Sequence, residues 1–462
     1  MSFAKRLLFG GLLCAAIGCS SPAEPQATAS AASTATLFEG ARLIVGDESL
    51  PIDDAAFLVE GTKITKVGRR GDIQPPSGAG RVDLKGKTVM PAIVELHSHL
   101  GYWNGPANTN LVENFTRDNV IDHLQRFAYH GIGAVLSLGT DRRELAYQLR
   151  DEFRASPPPD TALYFTAGQG LSSPNAGPGF PMRPAVYEVK TEAEGRKAVQ
   201  EMVEKKVDRW LKIWHDANRA KLPPEVYAAI IDEAHKHNLR VLSHVDVTGQ
   251  KELIRAGLDG FAHAVWRDEV DDELIALLKQ HPTTFTLTTF WGSRNLIWGP
   301  RPAWLDDPLL RETFNEMEIK KLENPKVPVT APTEWAEGPI PRNIAKIRAA
   351  GVRIGIGGDI GGISGGGGYF GFSSHMELAA LVKAGFTPAE AISVATRNSA
   401  ELLGLTELGM VAPGKSADFI VLNANPLDDI ENTRRISSVY LRGKEVNRAA
   451  LRAKWTGAAG TR

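Results

Sequence analysis

Eight short apolar runs, each separated from the next by an amphipathic stretch, set the narrowest limit on how this chain can fold. They are Thr88 to Leu96, Ala134 to Leu138, Ala162 to Thr166, Trp210 to Trp214, Arg240 to His244, Gly260 to Val265, Thr284 to Thr288 and Val352 to Ile356. Their length and β-branched and aromatic content suit strands, and the intervening stretches have helical periodicity. Strand–helix alternation of this count predicts an α/β chain folded as a (β/α)8 TIM-like barrel, in which active sites gather at the C-terminal ends of the strands. Outside these runs the texture changes. Ala41 to Val45, Ala56 to Glu60, Lys63 to Val67 and Gly80 to Leu84 on one side, and Ala417 to Leu422 and Ser437 to Val446 on the other, are strand-like pieces split by Gly, Asp and Pro. They predict a small β-sandwich built from both chain ends. The expected boundaries are 37–88 and 411–448 for the sandwich, 89–410 for the barrel and 449–462 for a C-terminal tail.

The strand ends carry the chemistry. His97 and His99 close the first run, one residue apart, so an extended chain turns both imidazoles to one face. Lys212, His244, His263 and Asp359 stand at or just past the ends of later runs. A His-x-His pair alone is a weak signal, and His244 or His263 taken singly would more often be a satisfied core histidine. Asp359 alone would read as a turn or helix-capping aspartate. Their shared position at successive strand ends points instead to one metal centre, and imidazole with carboxylate suits zinc or a similar divalent ion. Lys212, within Trp210-Leu-Lys-Ile-Trp214, is an ammonium in an apolar strand and needs a reason to be there. Burial favours the neutral amine, which can take up carbon dioxide as an anionic carbamate.

Longer motifs carry a family resemblance. Lys85-Gly-Lys-Thr-Val-Met-Pro leads into His97-Ser-His99; Val207 to Ile213, Asp232 to His244, Ala256 to His263, Ala350 to Asp359, Ala395-Thr-Arg-Asn-Ser-Ala and Val411 to Phe419 follow. Together they resemble the metal-dependent amidohydrolase superfamily, in the imidazolonepropionase-like branch that includes prolidase-type dipeptidases, over nearly everything from Ala41 to Val446. Two departures are visible: Ala92 stands where the family usually has Gly, and Gly358 where Thr is common. The resemblance implies two divalent ions, expected to be Zn2+. One is held by His97, His99 and Asp359, the other by His244 and His263, with carboxylated Lys212 bridging. It also implies hydrolysis at a carbonyl by activated water, with Asp359 carrying the proton. The expected substrate is a small molecule with a C–N bond, an N-acyl amino acid or dipeptide. An esterase or lactonase on the same site is the alternative, and a catalytically silent binding lipoprotein is a third reading that the intact ligand set argues against. Deamination fits less well, because single-metal deaminases of the superfamily lack the bridging lysine.

Substrate-binding residues are less legible. Tyr102, Trp103, Trp291, Trp298 and Trp304 follow strands one and seven and suit an apolar or aromatic substrate portion, although packing explains some of them equally well. Arg183, Arg294 and Arg301 are candidates for a substrate carboxylate. His215 and His375 could support the ligands from behind; His123, His130, His235, His237 and His281 receive no role. The glycine-rich run 357–368 lacks the Lys-Ser/Thr ending of a phosphate-binding loop and reads as an active-site loop.

The first residues are different in kind. Lys5 and Arg6 precede an apolar segment from Leu7 to Ile17, too short to span a bilayer, and Ala16-Ile-Gly-Cys19 resembles a bacterial lipobox with Ala where Leu is commoner. The expectation is a signal peptide over 1–18, lipid attachment at Cys19, a flexible Ala/Ser/Thr/Pro-rich tether over 19–36, and an outer-membrane lipoprotein facing the periplasm; a soluble periplasmic form is the alternative. Cys14 and Cys19 are the only cysteines, so the exported domain needs no disulfide. A net charge of -1 and the lack of a basic run give nucleic-acid binding no support, and a homo-oligomer is left open.

Overall fold

β1 (Ala35–Leu43), β2 (Ile52–Glu60), buried without a break from Ala55 to Val59, and β3 (Lys63–Arg69) pair antiparallel in sequence. The computed structural model describes residues 35–457 apart from 106, 108, 180, 216–218, 282–283, 288–302, 324–337 and 362–369, and within these it is a mixed α/β molecule. β4 (Gly80–Asp83) and β5 (Thr88–Pro91) join β1 in parallel.

The strands of the body, besides four two-residue pieces in its loops (Trp103–Asn104, Thr109–Asn110, Leu171–Ser172 and Tyr187–Glu188), are β6 (Ile93–Ser98), β7 (Ile132–Ser137), β8 (Leu163–Thr166), β9 (Trp210–Trp214), β10 (Arg240–His244), β11 (Gly260–Phe261), β12 (Thr284–Leu287) and β13 (Ile354–Ile356). β6, β7 and β8 pair in parallel, and so do β9 through β13 in chain order. The Asp208 amide donates to the Thr166 carbonyl (2.8 Å), linking the two groups on one side. On the other, Ser98 is bridged to Ile360, so the pairings return from the last strand to the first. Helices follow the strands: α1 (Arg117–Tyr129), α2 (Arg143–Ala155), α3 (Glu192–Glu204), α4 (Pro224–Lys236), α5 (Lys251–Arg255), α6 (Asp272–Gln280), α7 (Ile340–Ala349) and α8 (Phe372–Lys383). Several start at side-chain caps, as at α3, where Thr191 and Glu194 form a reciprocal capping box. β6, β7 and β9 are buried along their whole length, as expected of parallel strands covered on both faces.

The chain then returns to the first sheet. β14 (Phe419–Leu422) pairs antiparallel with β5 and with β15 (Ile436–Leu441), which pairs with β16 (Lys444–Glu445). The sheet therefore has eight strands contributed by both ends of the described chain. A single aromatic cluster holds them: Phe38 stacks on Phe57 (centroids 5.0 Å) and meets Phe419 edge-on (5.2 Å), while Tyr440 stacks on Phe419 (4.7 Å).

Two expectations are corrected here. The run Thr88 to Leu96 is not one strand. β5 ends at Pro91, opposite Phe419 in the first sheet; the Ala92 amide donates to Asp418, and Ile93 then bonds to Gly131 at the start of the parallel strands. The chain changes sheets at Ala92 while staying buried, so its hydrophobicity shows no break. The expected tail from residue 449 is a helix, α9 (Arg448–Thr456): Leu451 and Trp455 are buried, and the Trp455 indole N–H donates to Asp122 of α1 (2.8 Å).

Candidate metal centre

Alternation along β6 sends His97 and His99 to one side, and both are buried. The Nδ1–H of His97 donates to the carbonyl of Ala262, just past β11 (3.0 Å), and Nδ1 of His99 hydrogen-bonds Thr140 Oγ1, just past β7 (2.8 Å). With Nδ1 engaged, both rings present Nε2 to the same place, where Asp359 Oδ1 lies 3.4 Å from His97 Nε2 and 3.0 Å from His99 Nε2. His263 completes the approach: single ligand atoms of His97, His263 and Asp359 all lie within 4.8 Å of one another. The His244 ring meets that of His263 at 4.1 Å between centroids.

Lys212 sits in the middle of β9, 1% exposed, with Nζ 5.6 Å from the centre of the Trp214 ring. Its seat is shaped by Gly139, whose backbone is in the left-handed region (φ +82°) and where a Cβ would stand 2.5 Å from Lys212 Cβ. Asp359 is itself left-handed (φ +49°), an uncommon conformation for a residue with a side chain, and it kinks the chain out of β13. Behind it, Gly361 (φ +103°) has no room for a Cβ, which would lie 2.3 Å from the His99 carbonyl oxygen.

The electrostatics favour neutral imidazoles and a charged carboxylate. Burial, then the charge of Lys212, holds His97 well below the ordinary histidine value and brings His244 down to about 3; burial and then the neighbouring His244 do the same to His263. Burial acts to raise Asp359, but the charge interaction with His97 and the hydrogen bond from His99 outweigh it and hold the carboxyl well below its usual range. Convergent imidazole lone pairs with an anionic oxygen, in a buried position, are the donors a zinc-like ion takes. His97 Nε2 is fully buried and makes no hydrogen bond among the described residues, as expected of an atom directed at a ligand.

Thus His97, His263 and Asp359 form one group, His99 joins it through Asp359, His244 meets His263 edge-on, and Lys212 lies within electrostatic reach of His97, His244 and His263. Other candidates fall elsewhere. Tyr102 is buried and its hydroxyl donates to the Thr140 carbonyl, while Trp103 packs against Phe370 (5.7 Å) and Phe314 (6.0 Å). These two rings hold the loop after β6, which is the packing alternative given for some of these aromatics. Trp304 packs on Phe372 (5.9 Å), and Arg183 is exposed in the turn Arg183–Ala185. His215 turns toward Glu252 (3.5 Å) and His375 bonds the His130 carbonyl (2.8 Å), so neither contacts the cluster's ligands. Trp291, Trp298, Arg294, Arg301, Cys19 and most of the glycine run lie outside the described residues.

Sequence reasoning missed the groups behind the ligands. Thr140 holds His99, and His123 pins the loop after it, accepting from the Gly101 amide (3.0 Å) and donating to the Trp103 carbonyl (2.8 Å). Asp141 accepts from Ser137 (2.6 Å) and from Thr166 and is pushed up to about 6 by burial. Glu95, two residues before His97, is fully buried; burial pushes it up to about 7, partly offset by the donors Ser374, Gly358 and His97. Only the position of Glu95 and Asp141 in strand-end runs could have flagged them.

Solved structures with the same architecture include a putative prolidase from Bifidobacterium longum (22% identical, 92% of this chain and 99% of that one, TM-score 0.68) and phenylurea hydrolase B (23% identical, 90% and 97%, TM-score 0.70). At that identity they show the fold: a mixed α/β body with an attached β-sheet. The Amidohydrolase family model matches residues 88–446, and the chain belongs to this family. An imidazolonepropionase of Cereibacter sphaeroides is 25% identical over 385 residues, covering 81% of this chain and 89% of the relative. Another, from Deinococcus deserti, is 44% identical over 69 residues, which is 15% of this chain and only 17% of the relative's length.

Proposed function

We propose that this chain is a metal-dependent hydrolase that cleaves a C–N bond, amide or peptide-like, in a small substrate such as an N-acyl amino acid or a dipeptide. The observation that carries the reading is the convergence of His97, His263 and Asp359 at the C-terminal ends of parallel strands, within a family match that spans them. The ring of strand pairings reads as a (β/α)8 barrel, and the sheet from both ends as the sandwich beside it. In this reading His97, His99 and Asp359 would hold one divalent ion and His244 and His263 a second, both zinc, and Lys212, carboxylated when its neutral amine takes up carbon dioxide and releases a proton, would supply an anionic group to both. The ions supply Lewis-acid polarisation of the substrate carbonyl and a lowered pKa for water.

The protein's own part follows from the geometry. The Ala262 carbonyl fixes the His97 ring in direction and in the tautomer that leaves Nε2 its lone pair, and Thr140 Oγ1 fixes the direction of the His99 ring. Asp359 is ionised and stands beside them, so its free oxygen can take the proton from the attacking water and deliver it to the leaving nitrogen. Water's oxygen joins the carbonyl carbon, the C–N bond breaks, and acid and amine leave. The proposal extends to location: Lys5, Arg6, the apolar segment to Ile17 and Cys19 support export as a lipid-anchored protein of the outer membrane. Among the described residues no helix is long and apolar enough to cross a membrane.

The test is a substrate panel on zinc-reconstituted enzyme, comparing N-acyl amino acids, dipeptides, esters and lactones, with metal counted per chain. Turnover of amides or dipeptides above the ester background, with about two ions bound, is the expected result. Turnover of esters or lactones alone refutes the C–N assignment.

A further inference from the structure

The junction between β6 and β13 contains a conflict that ordinary strand pairing does not resolve. Around Ile360 the pairing is regular for parallel strands: its amide donates to the His97 carbonyl (3.2 Å) and its carbonyl accepts from the His99 amide (2.6 Å). Two residues upstream, a regular ladder would have the Gly358 amide donate to the Glu95 backbone carbonyl and the His97 amide donate to Gly358. The left-handed turn at Asp359 (φ +49°) rotates Gly358 out of that register. What remains is two backbone N–H donors facing the same buried space, and two donors cannot satisfy each other.

The Glu95 side chain fills that space. One oxygen, Oε1, accepts from both the His97 amide (3.0 Å) and the Gly358 amide (2.7 Å), while Oε2 accepts from Ser374 Oγ in the first turn of α8 (2.8 Å). The carboxylate is fully buried and touches the first strand, the last strand and the helix after it. We propose that Glu95 is a positioning residue: its Oε1 replaces the missing ladder bonds between β6 and β13 and thereby sets the directions of His97 and Asp359 toward their common ligand. The inference rests on the metal-dependent reading above for its consequence, although the backbone link itself does not depend on it. Glu95 is no ligand in this account, and it carries no proton in the reaction. Its function is that of an acceptor at a fixed place, so an uncharged acceptor of the same length can take it over.

The experiment compares Glu95→Gln, Glu95→Leu and Glu95→Asp in the full chain, by zinc affinity in chelator competition and by amide hydrogen exchange of the peptide covering 352–361, the latter on metal-free protein. In Glu95→Gln the amide oxygen still accepts both N–H groups and the NH2 donates to Ser374, so zinc affinity and exchange stay near wild type. Glu95→Leu loses the acceptor: exchange in 352–361 accelerates, and zinc affinity falls by about 10- to 100-fold, the usual effect of removing a group that orients a ligand. Should Glu95→Leu fail to fold, Glu95→Asp, one carbon too short to reach both amides, shows the same direction of change. Wild-type behaviour of the Leu variant, or of the Asp variant where Leu does not fold, overturns the proposal. So does a Gln variant as impaired as Leu, because charge and not acceptor placement would then matter. If the wild type binds no zinc, the metal reading fails while the exchange measurement still decides the positioning role.

Discussion

Replacing Gly139 with alanine tests how tightly the seat of Lys212 is built. Two separable costs follow from the coordinates. The first is conformational: φ at Gly139 is +82°, and a residue with a Cβ in the left-handed region costs about 1–2 kcal/mol relative to glycine. The second is steric. The new Cβ would stand 2.5 Å from Lys212 Cβ and 2.9 Å from its Cγ, and Lys212 Cβ is attached to the β9 backbone, so no rotamer change removes the contact. Forcing a methyl group into a packed interior adds about 1–3 kcal/mol, for a total of roughly 2–5 kcal/mol. Gly86→Ala is the internal control: its φ is +77° but nothing lies within 4 Å of its Cβ, so it bears only the conformational cost. Urea midpoints of the two variants, read at equal m-value, give the steric difference, and metal content gives its effect on the site. Gly139→Ala should be the less stable of the two and lose metal, while Gly86→Ala keeps a full complement. Equal destabilisation with unchanged metal would refute the claim that Gly139 shapes the position of Lys212.

Asp359→Asn keeps an oxygen but cannot take a proton, so metal should be retained in substantial part while kcat falls by about two to four orders of magnitude; His97→Ala should lose metal and activity together, and turnover by Asp359→Asn near the wild-type rate ends the proton-carrier role. Lys212→Ala should lose most bound metal and activity, with short carboxylic acids partly restoring both; full occupancy in this variant contradicts the carbamate bridge. The metal-free protein should lose stability as pH falls below about 6.5. His97, His130 and His263 are held well below the ordinary value, His123 and His375 at about 4 and His244 at about 3, so the unfolded chain binds more protons there. Glu95 at about 7 and Asp141 at about 6 act in the opposite sense but are fewer. Denaturation midpoints that stay level between pH 6.5 and 5 would contradict this. Cys19→Ser should move the protein from the membrane to the soluble periplasmic fraction with activity intact, and wild-type protein already soluble there rules out the lipid anchor.

Much of this molecule is legible along the chain, because a strand or helix advertises itself through the spacing of its own neighbours. The eight parallel strands, the i, i+2 pair His97 and His99, and the placement of His244, His263 and Asp359 at or just past strand ends follow from local period and residue type, whereas Lys212, expected at a strand end, lies in the middle of β9. What the chain alone leaves undecided are choices of partner. Ala92 is buried on either side of a change of sheet, so hydrophobicity cannot mark the break between β5 and β6. The orientation of His97 depends on the Ala262 carbonyl, 165 positions away, and the Gly358 amide meets Glu95 across 263 positions. Only closure of the strand pairings brings those groups within 3 Å, and a pattern read over a few residues contains no term for a contact that the rest of the fold has to create.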